Sequence, residues 1–306
     1  MKKIILNNHR PKDNLLIKYF ITLACNNRCP YCFMLPELNN KLKFNKEIFE
    51  LFKTKINQLK QNVKLEILGG DPLFINEINR LSEFNTNIVK DIVLYSNCNF
   101  NPTKFQTKID SFQFSCKFIV SIHKVSNLEY VKQNILYLQT KNMIEEILFI
   151  LDENSIEEVH DFINFFKVNN LKYVIDLVRK DGVIVENETT KKIFLDHYKE
   201  NPSNYKINNI YFTEKEIIEY DLYNIAEYFT VKCFTNEISV DYYGNISMNC
   251  NHPYISHIKD GFKVTPLLCN NKRCDCAYAQ YKELLYPKAD NKITKFILDK
   301  VKKDKS

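Results

Sequence analysis

Cys25-Asn-Asn-Arg-Cys29-Pro-Tyr-Cys32 gathers three thiols into one short C-x3-C-x2-C stretch. Three thiolates can hold three corners of a four-iron cubane, which leaves one iron without a protein ligand. An open metal position is a place for substrate to bind, the logic that keeps a catalytic zinc one protein ligand short. A structural zinc is the competing assignment, and it wants a further Cys or His nearby. Outside the array no Cys or His lies between Arg10 and Cys98. A second group, Cys233, Cys250, Cys269, Cys274 and Cys276, falls within 44 positions. A bound metal would organise a unit whose own core is too small to stabilise it. Zinc ribbons usually show two C-x2-C knuckles, and this region has none. An iron–sulfur cluster on four of these five cysteines is the favoured reading. With ten cysteines and no export signal, metal binding is expected rather than disulfides, because the cytosol keeps thiols reduced.

The elements that must carry these residues are legible as six short apolar runs: 16–23, 65–68, 92–95, 118–122, 147–151 and 173–178. Most do not alternate apolar with polar, which suits strands of a parallel sheet covered on both faces. Helical patterns lie between them. Asn45 and Asn127 read as N-caps, and Ser155 with Glu158 reads as a capping box ahead of a stripe formed by Ile156, Val159, Phe162, Ile163 and Phe166. Such alternation predicts right-handed crossovers and a parallel barrel or open α/β sheet. The first cysteine loop then sits at the C-terminal end of the first strand, the face where barrels keep their chemistry. Residues 186–230 are polar and helical in character, without strand rhythm. Glu237–Cys250 reads as a β-hairpin turning near Tyr243–Asn245, and the lysine-rich tail after Pro287 as a final helix.

Gly69-Gly70-Asp71-Pro72 directly follows the second predicted strand. With the cysteine array, and with Tyr31 before the third cysteine, it resembles the signature of the radical S-adenosylmethionine family, whose turn reads Gly-Gly-Glu-Pro. The resemblance covers roughly residues 15–180. It implies an α/β fold: a six-stranded partial (β/α)6 barrel of the TIM type. The domains would be a barrel core at 1–182, a helical bridge at 183–230 and a small auxiliary unit at 231–306. The C-terminal cysteine pattern is similar to the twitch and SPASM extensions of that family, which carry an auxiliary 4Fe–4S cluster.

By the same resemblance, Cys25, Cys29 and Cys32 hold a 4Fe–4S cluster whose open iron chelates the amino and carboxylate groups of S-adenosylmethionine. Gly69, Gly70 and Asp71 meet the amino group through backbone carbonyls, and Tyr31 lies by the adenine. Ser121 is similar to a strand-four position near the ribose. Ser96, with Asn97, follows strand three on the same face, as His123 follows strand four. Arg179 could pair with the methionine carboxylate, and Arg28 supports the cysteine loop or screens the cluster. One electron cleaves the sulfonium to methionine and a 5′-deoxyadenosyl radical, which abstracts hydrogen from a substrate. Cys98 could return a hydrogen atom to that substrate, as in radical peptide epimerases; the bland alternative for Cys98 and Cys116 is two inert buried thiols.

Composition narrows the classes. The net charge of +6 comes from 43 basic and 37 acidic side chains. The chain is rich in Asn, Ile and Lys, which points to nucleotide bias in the coding genome, so its basicity reads as a solvated surface rather than a nucleic-acid groove. No apolar run approaches the length of a membrane span, and the N-terminus lacks a signal sequence; a cytoplasmic enzyme is expected. Three functions stay open. One is epimerisation or crosslinking of a ribosomally made peptide. The second is radical dehydrogenation of a sugar or aminocyclitol. The third, of another class, is a non-catalytic iron–sulfur electron carrier or zinc-binding interaction module. Only 24 residues precede Cys25, so no N-terminal peptide-recognition domain is expected. A flavodoxin- or ferredoxin-type donor of low potential is the implied redox partner.

Overall fold

The computed structural model describes residues 4–6, 15–32, 34–180, 183–184, 187–200, 206–207, 210–211, 213, 216, 229–233, 237–247, 254–262, 267–269, 282–287 and 291–303. Its centre is a parallel run of six strands: β1 (Leu15–Thr22), β2 (Val63–Gly69), β3 (Val89–Ser96), β4 (Lys117–Ile122), β5 (Ile144–Leu151) and β6 (Val174–Leu177). They are hydrogen-bonded in chain order, as right-handed crossovers require. Helices α1 (Lys46–Asn57), α2 (Pro102–Asp110), α3 (Leu128–Thr140) and α4 (Ile156–Val168) return the chain after β1, β3, β4 and β5. Between β2 and β3 the return is made by 3-10 turns, Pro72–Phe74 and Asn76–Glu83. This is the partial (β/α)6 barrel expected, and each of the six apolar runs becomes a strand.

Alternation along each strand divides the structure into an outer and an inner face. Ile17, Tyr19 and Ile21 of β1 are buried outward, where the Tyr19 ring stacks on Phe52 of α1 at 4.2 Å. Phe49, Phe52 and Ile56 of α1 are fully buried against that face. Truncating a fully buried Phe such as Phe52 to Ala would cost about 3–5 kcal/mol. Asn45 and Asn127 cap as expected, their side-chain oxygens accepting from Ile48 N and Tyr130 N at 3.2 Å each. The capping box at Ser155 does not form. Its hydroxyl turns back to the carbonyl of Asp152, which closes a tighter local turn, and Glu158 pairs with Lys124.

Beyond the barrel, α5 (Glu188–Glu200) follows β6. The stretch read as lacking strands contains a short antiparallel pair, Lys206–Ile207 with Ile210–Tyr211. The hairpin forms where expected, from β7 (Glu237–Val240) and β8 (Asn245–Ser247), with β9 (Ser256–His257) beside it. Asp241 Oδ1 accepts from the backbone of Tyr243 and Asn245, and Gly244 turns at φ +89°. A side chain at Gly244 would crowd Ile48 of α1 and Ile258, so the turn packs directly on the first helix. The hairpin also joins the barrel: β7 pairs parallel with β1, Glu237 beside Leu16 through Val240 beside Tyr19, giving a nine-stranded sheet. A separate four-stranded sheet runs Ile4–Leu6, Lys282–Pro287, Phe229–Cys233, Leu267–Cys269. The final helix spans Lys292–Lys303. Among the described residues no helix is long and apolar enough to cross a membrane.

Candidate active site

The inner face opens at the C-terminal ends of the strands into a cavity of about 420 Å³. Cys25, Cys29 and Cys32 line it from the loop after β1, and Gly69 and Gly70 from the end of β2. Ser96 and Asn97 contribute from β3, Ser121 and His123 from β4. Ile150, Asp176, Leu177 and Val178 close the far side from β5 and β6.

Two glycines let the β2 turn press against the cysteine loop. Gly70 N donates to Thr22 O at 2.9 Å and Asp71 N to Ala24 O at 2.8 Å. A Cβ on Gly70 would stand 2.1 Å from Ala24 O, and one on Gly69, at φ +139°, 2.2 Å from Thr22 O. Those neighbours are backbone atoms that cannot swing aside, so only glycine fits. Asp71 is 0% exposed and directs both oxygens inward. Oδ1 accepts from Leu73 N at 3.0 Å, capping the turn, while Oδ2 accepts from Ser96 Oγ and Asn97 N at 2.9 Å each. Burial raises its pKa to about 6 against the pull of those three donors.

The cysteine loop is laced to its neighbours by asparagines. Asn97 Nδ2 donates to Asn26 Oδ1 at 2.9 Å and faces Cys25 Sγ at 3.6 Å. Asn27 Nδ2 donates to Ser126 Oγ and its Oδ1 accepts from Asn99 Nδ2, at 2.9 and 2.8 Å. Asn26 reaches the Asn99 carbonyl, and Asn40 Oδ1 receives Cys25 N at 3.1 Å. Arg28 donates to the carbonyls of Cys25 and Asn27 at 2.7 and 2.8 Å, which makes it a loop support. Burial, then the Asp71 charge, pushes the Cys25 thiol up to about 11; burial and its two fellow cysteines push Cys29 up to about 12. Three thiols held this way need a bound cation to become thiolates.

Tyr31 turns its hydroxyl onto His123 Nδ1 at 3.0 Å. Burial lowers the His123 pKa to about 4, so the ring is neutral, and it keeps the Tyr31 phenol protonated. Ser121 lines the cavity from β4. Ser96 lines it too, but its hydroxyl proton goes to Asp71, which leaves it only an acceptor for a ligand. Cys98 stands apart. It is 0% exposed within the main apolar core, at φ +53°, and does not line the cavity. Cys116 is likewise buried in that core. Both placements suit inert thiols better than a hydrogen donor. Arg179 begins a two-residue strand just past β6, paired with Val183–Ile184, and its side chain lies outside the described residues. Cys250, Cys274 and Cys276 also lie outside them. Of Cys233 and Cys269 only the backbone is described, on adjacent strands where Cys233 faces Leu267 and Val231 faces Cys269.

Asp176, Tyr95, Phe20 and Leu38 were not singled out by motif, yet they line the cavity. For Phe20, Tyr95 and Asp176 the signal is a place near a strand end with the inward parity of that strand, whereas Leu38 lies in the loop after β1 and carries no such mark. Among the described residues, no three His, Cys, Asp or Glu side chains converge to hold a single metal ion. In a cubane each thiolate takes a different iron, and three thiols around one cavity suit that donor set.

No protein-family model and no curated protein sequence matches the chain. Solved structures do. A structure of anSMEcpe with bound AdoMet and Cp18Cys peptide superposes at TM-score 0.52 and 16% identity, over 80% of this chain and 77% of that one. Streptococcus suis SuiB bound to S-adenosylmethionine gives 0.50 and 13%, over 80% and 64%. BtrN in complex with AdoMet and 2-DOIA gives 0.45 and 15%, over 82% and 80%. The first two establish that this chain has the fold of proteins that bind S-adenosylmethionine.

Proposed function

We propose that this chain is a radical S-adenosylmethionine enzyme that modifies a peptide. The observation that carries the reading is the joining of three cysteine thiols and a glycine turn around one cavity at the C-terminal mouth of a partial barrel. Cys25, Cys29 and Cys32 would hold three irons of a 4Fe–4S cluster, leaving the fourth without a protein ligand. When bound, that cluster supplies the electron that cleaves S-adenosylmethionine into methionine and a 5′-deoxyadenosyl radical, which takes hydrogen from the substrate.

The chain's own residues orient and shield. Gly69, Gly70 and Asp71 offer backbone carbonyls to the amino group of S-adenosylmethionine, and Arg179 its guanidinium to the carboxylate. Ser121 serves the ribose, with Ser96 as an acceptor nearby. Tyr31, tied to His123, lies by the adenine. Leu68, Ile150, Leu177 and Val178 contribute apolar wall, which keeps water from a reactive intermediate.

Four of Cys233, Cys250, Cys269, Cys274 and Cys276 hold an auxiliary 4Fe–4S cluster in a twitch-like unit over 231–306, joined to the 1–182 core by the 183–230 bridge. Bound there, such a cluster would supply a site for an electron going to or from the substrate radical. A peptide substrate is supported by the fold shared with anSMEcpe, whose structure holds a peptide beside AdoMet; the reaction is epimerisation or crosslinking. A low-potential flavodoxin- or ferredoxin-type protein supplies electrons, in the cytoplasm where thiols stay reduced.

The test is anaerobic reconstitution with iron and sulfide, then incubation with dithionite and S-adenosylmethionine. Formation of 5′-deoxyadenosine is expected. Its persistence after replacing all three of Cys25, Cys29 and Cys32 by Ala would sink the assignment.

A further inference from the structure

We infer that Asn97 is a positioning residue for the Cys25 thiolate, donating a side-chain N–H to Sγ and so raising the reduction potential of the cluster held there; this rests on the iron–sulfur reading above. The neighbours decide which way the amide faces. Asn97 Oδ1 accepts the backbone N–H of Asn99 at 2.8 Å, a role only the oxygen can fill. Nδ2 is therefore the atom turned toward Cys25 Sγ, at 3.6 Å, and toward Asn26 Oδ1, at 2.9 Å.

The side chain is also fixed from behind. Its own backbone N–H donates to Asp71 Oδ2 at 2.9 Å, and Ser96 Oγ donates to the same oxygen. Asp71 in turn is anchored by Leu73 N and sits one residue past Gly70. The carboxylate of the glycine turn thus aims the amide that touches the first cysteine. Two elements far apart in sequence meet at one sulfur. The backbone N–H of Asn27 reaches the same sulfur at 3.4 Å.

The chemistry follows from charge. A reduced cluster carries one more negative charge than the oxidised form. An N–H dipole pointed at a ligand sulfur stabilises that charge, more strongly in a site with little water. Removing the donor makes the cluster harder to reduce. Cys25 and Asn97 are both buried, 7% and 6% exposed, so little solvent is present to replace it.

The experiment is a redox titration of the anaerobically reconstituted full chain, followed by electron paramagnetic resonance. The signal that changes on adding S-adenosylmethionine reports the cluster on Cys25. Asn97→Ala should retain wild-type iron content and show a lower midpoint potential. Asn97→Asp, which brings a negative charge and no donor, should lie lower still. Asn97→Ser, with a short hydroxyl donor, should move back toward wild type. Should Asn97→Ala fail to hold iron, the Ser and Asp variants carry the same comparison. Equal potentials in iron-replete variants with and without the donor would overturn the role of Asn97 while leaving the enzyme assignment intact. Wild-type protein that assembles no cluster would overturn that assignment, and this inference with it.

Discussion

The two cysteine groups stand on differently built frames. Cys25, Cys29 and Cys32 sit on a loop at the end of a parallel strand, pressed by the glycine turn and laced by Asn26, Asn27, Asn40 and Asn97. Cys233 and Cys269 belong to neighbouring antiparallel strands of a separate sheet. A loop at a barrel mouth can leave one coordination position facing a cavity, because the cavity wall is made by other strands. A strand ladder spaces its residues at fixed intervals, a frame suited to enclosing a metal fully. On the proposed function, the first group would serve substrate chemistry and the second electron transfer.

The strongest way to break that contrast is to delete one group at a time and count iron. Replacing Cys25, Cys29 and Cys32 together by Ala should lower the iron content from about eight to about four per chain, two four-iron clusters becoming one, and abolish 5′-deoxyadenosine formation. Replacing Cys233 or Cys250 by Ala should leave measurable 5′-deoxyadenosine but no modified substrate. Unchanged product yield there would show that the second group only braces the fold.

Gly70→Ala tests the frame rather than the ligands. Its added methyl meets the Ala24 carbonyl, and a steric insertion of this kind costs about 1–3 kcal/mol. The expected result is weaker cluster retention on the first group, read as iron lost during gel filtration, with the second cluster undisturbed. The smallest effect is expected from Tyr31→Phe or His123→Ala. Each removes one hydrogen bond worth about 1 kcal/mol, about fivefold in S-adenosylmethionine affinity by calorimetry. The double variant should be no worse than either single one; additive losses would mean that the two side chains act separately.

Much of this frame was legible because its parts announce themselves locally. Strands covered on both faces read as unbroken apolar runs, and a Gly-Gly pair after a strand marks a close backbone approach. Asn45 and Asn127 declared their helices by type and position. The asparagine lacing was hidden for an opposite reason. In a chain rich in Asn, the residues Asn26, Asn27, Asn97 and Asn99 look like compositional background, and their partners lie about 70 residues away. Ser155 misled because a cap depends on the direction its hydroxyl takes, which Asp152 competes for. The pairing of β7 with β1 could not be read either, since no local pattern encodes a partner some 220 residues distant.

That last pairing has a consequence for how the protein is born. As the polypeptide leaves the ribosome, β1 emerges some 220 residues before β7, and β2 covers only one of its flanks. The other flank remains an exposed row of amide and carbonyl groups, open to wrong partners, until residues 237–240 have been made. The nascent barrel therefore carries an unguarded edge over that interval, and truncation before the hairpin should yield aggregates rather than a smaller folded unit.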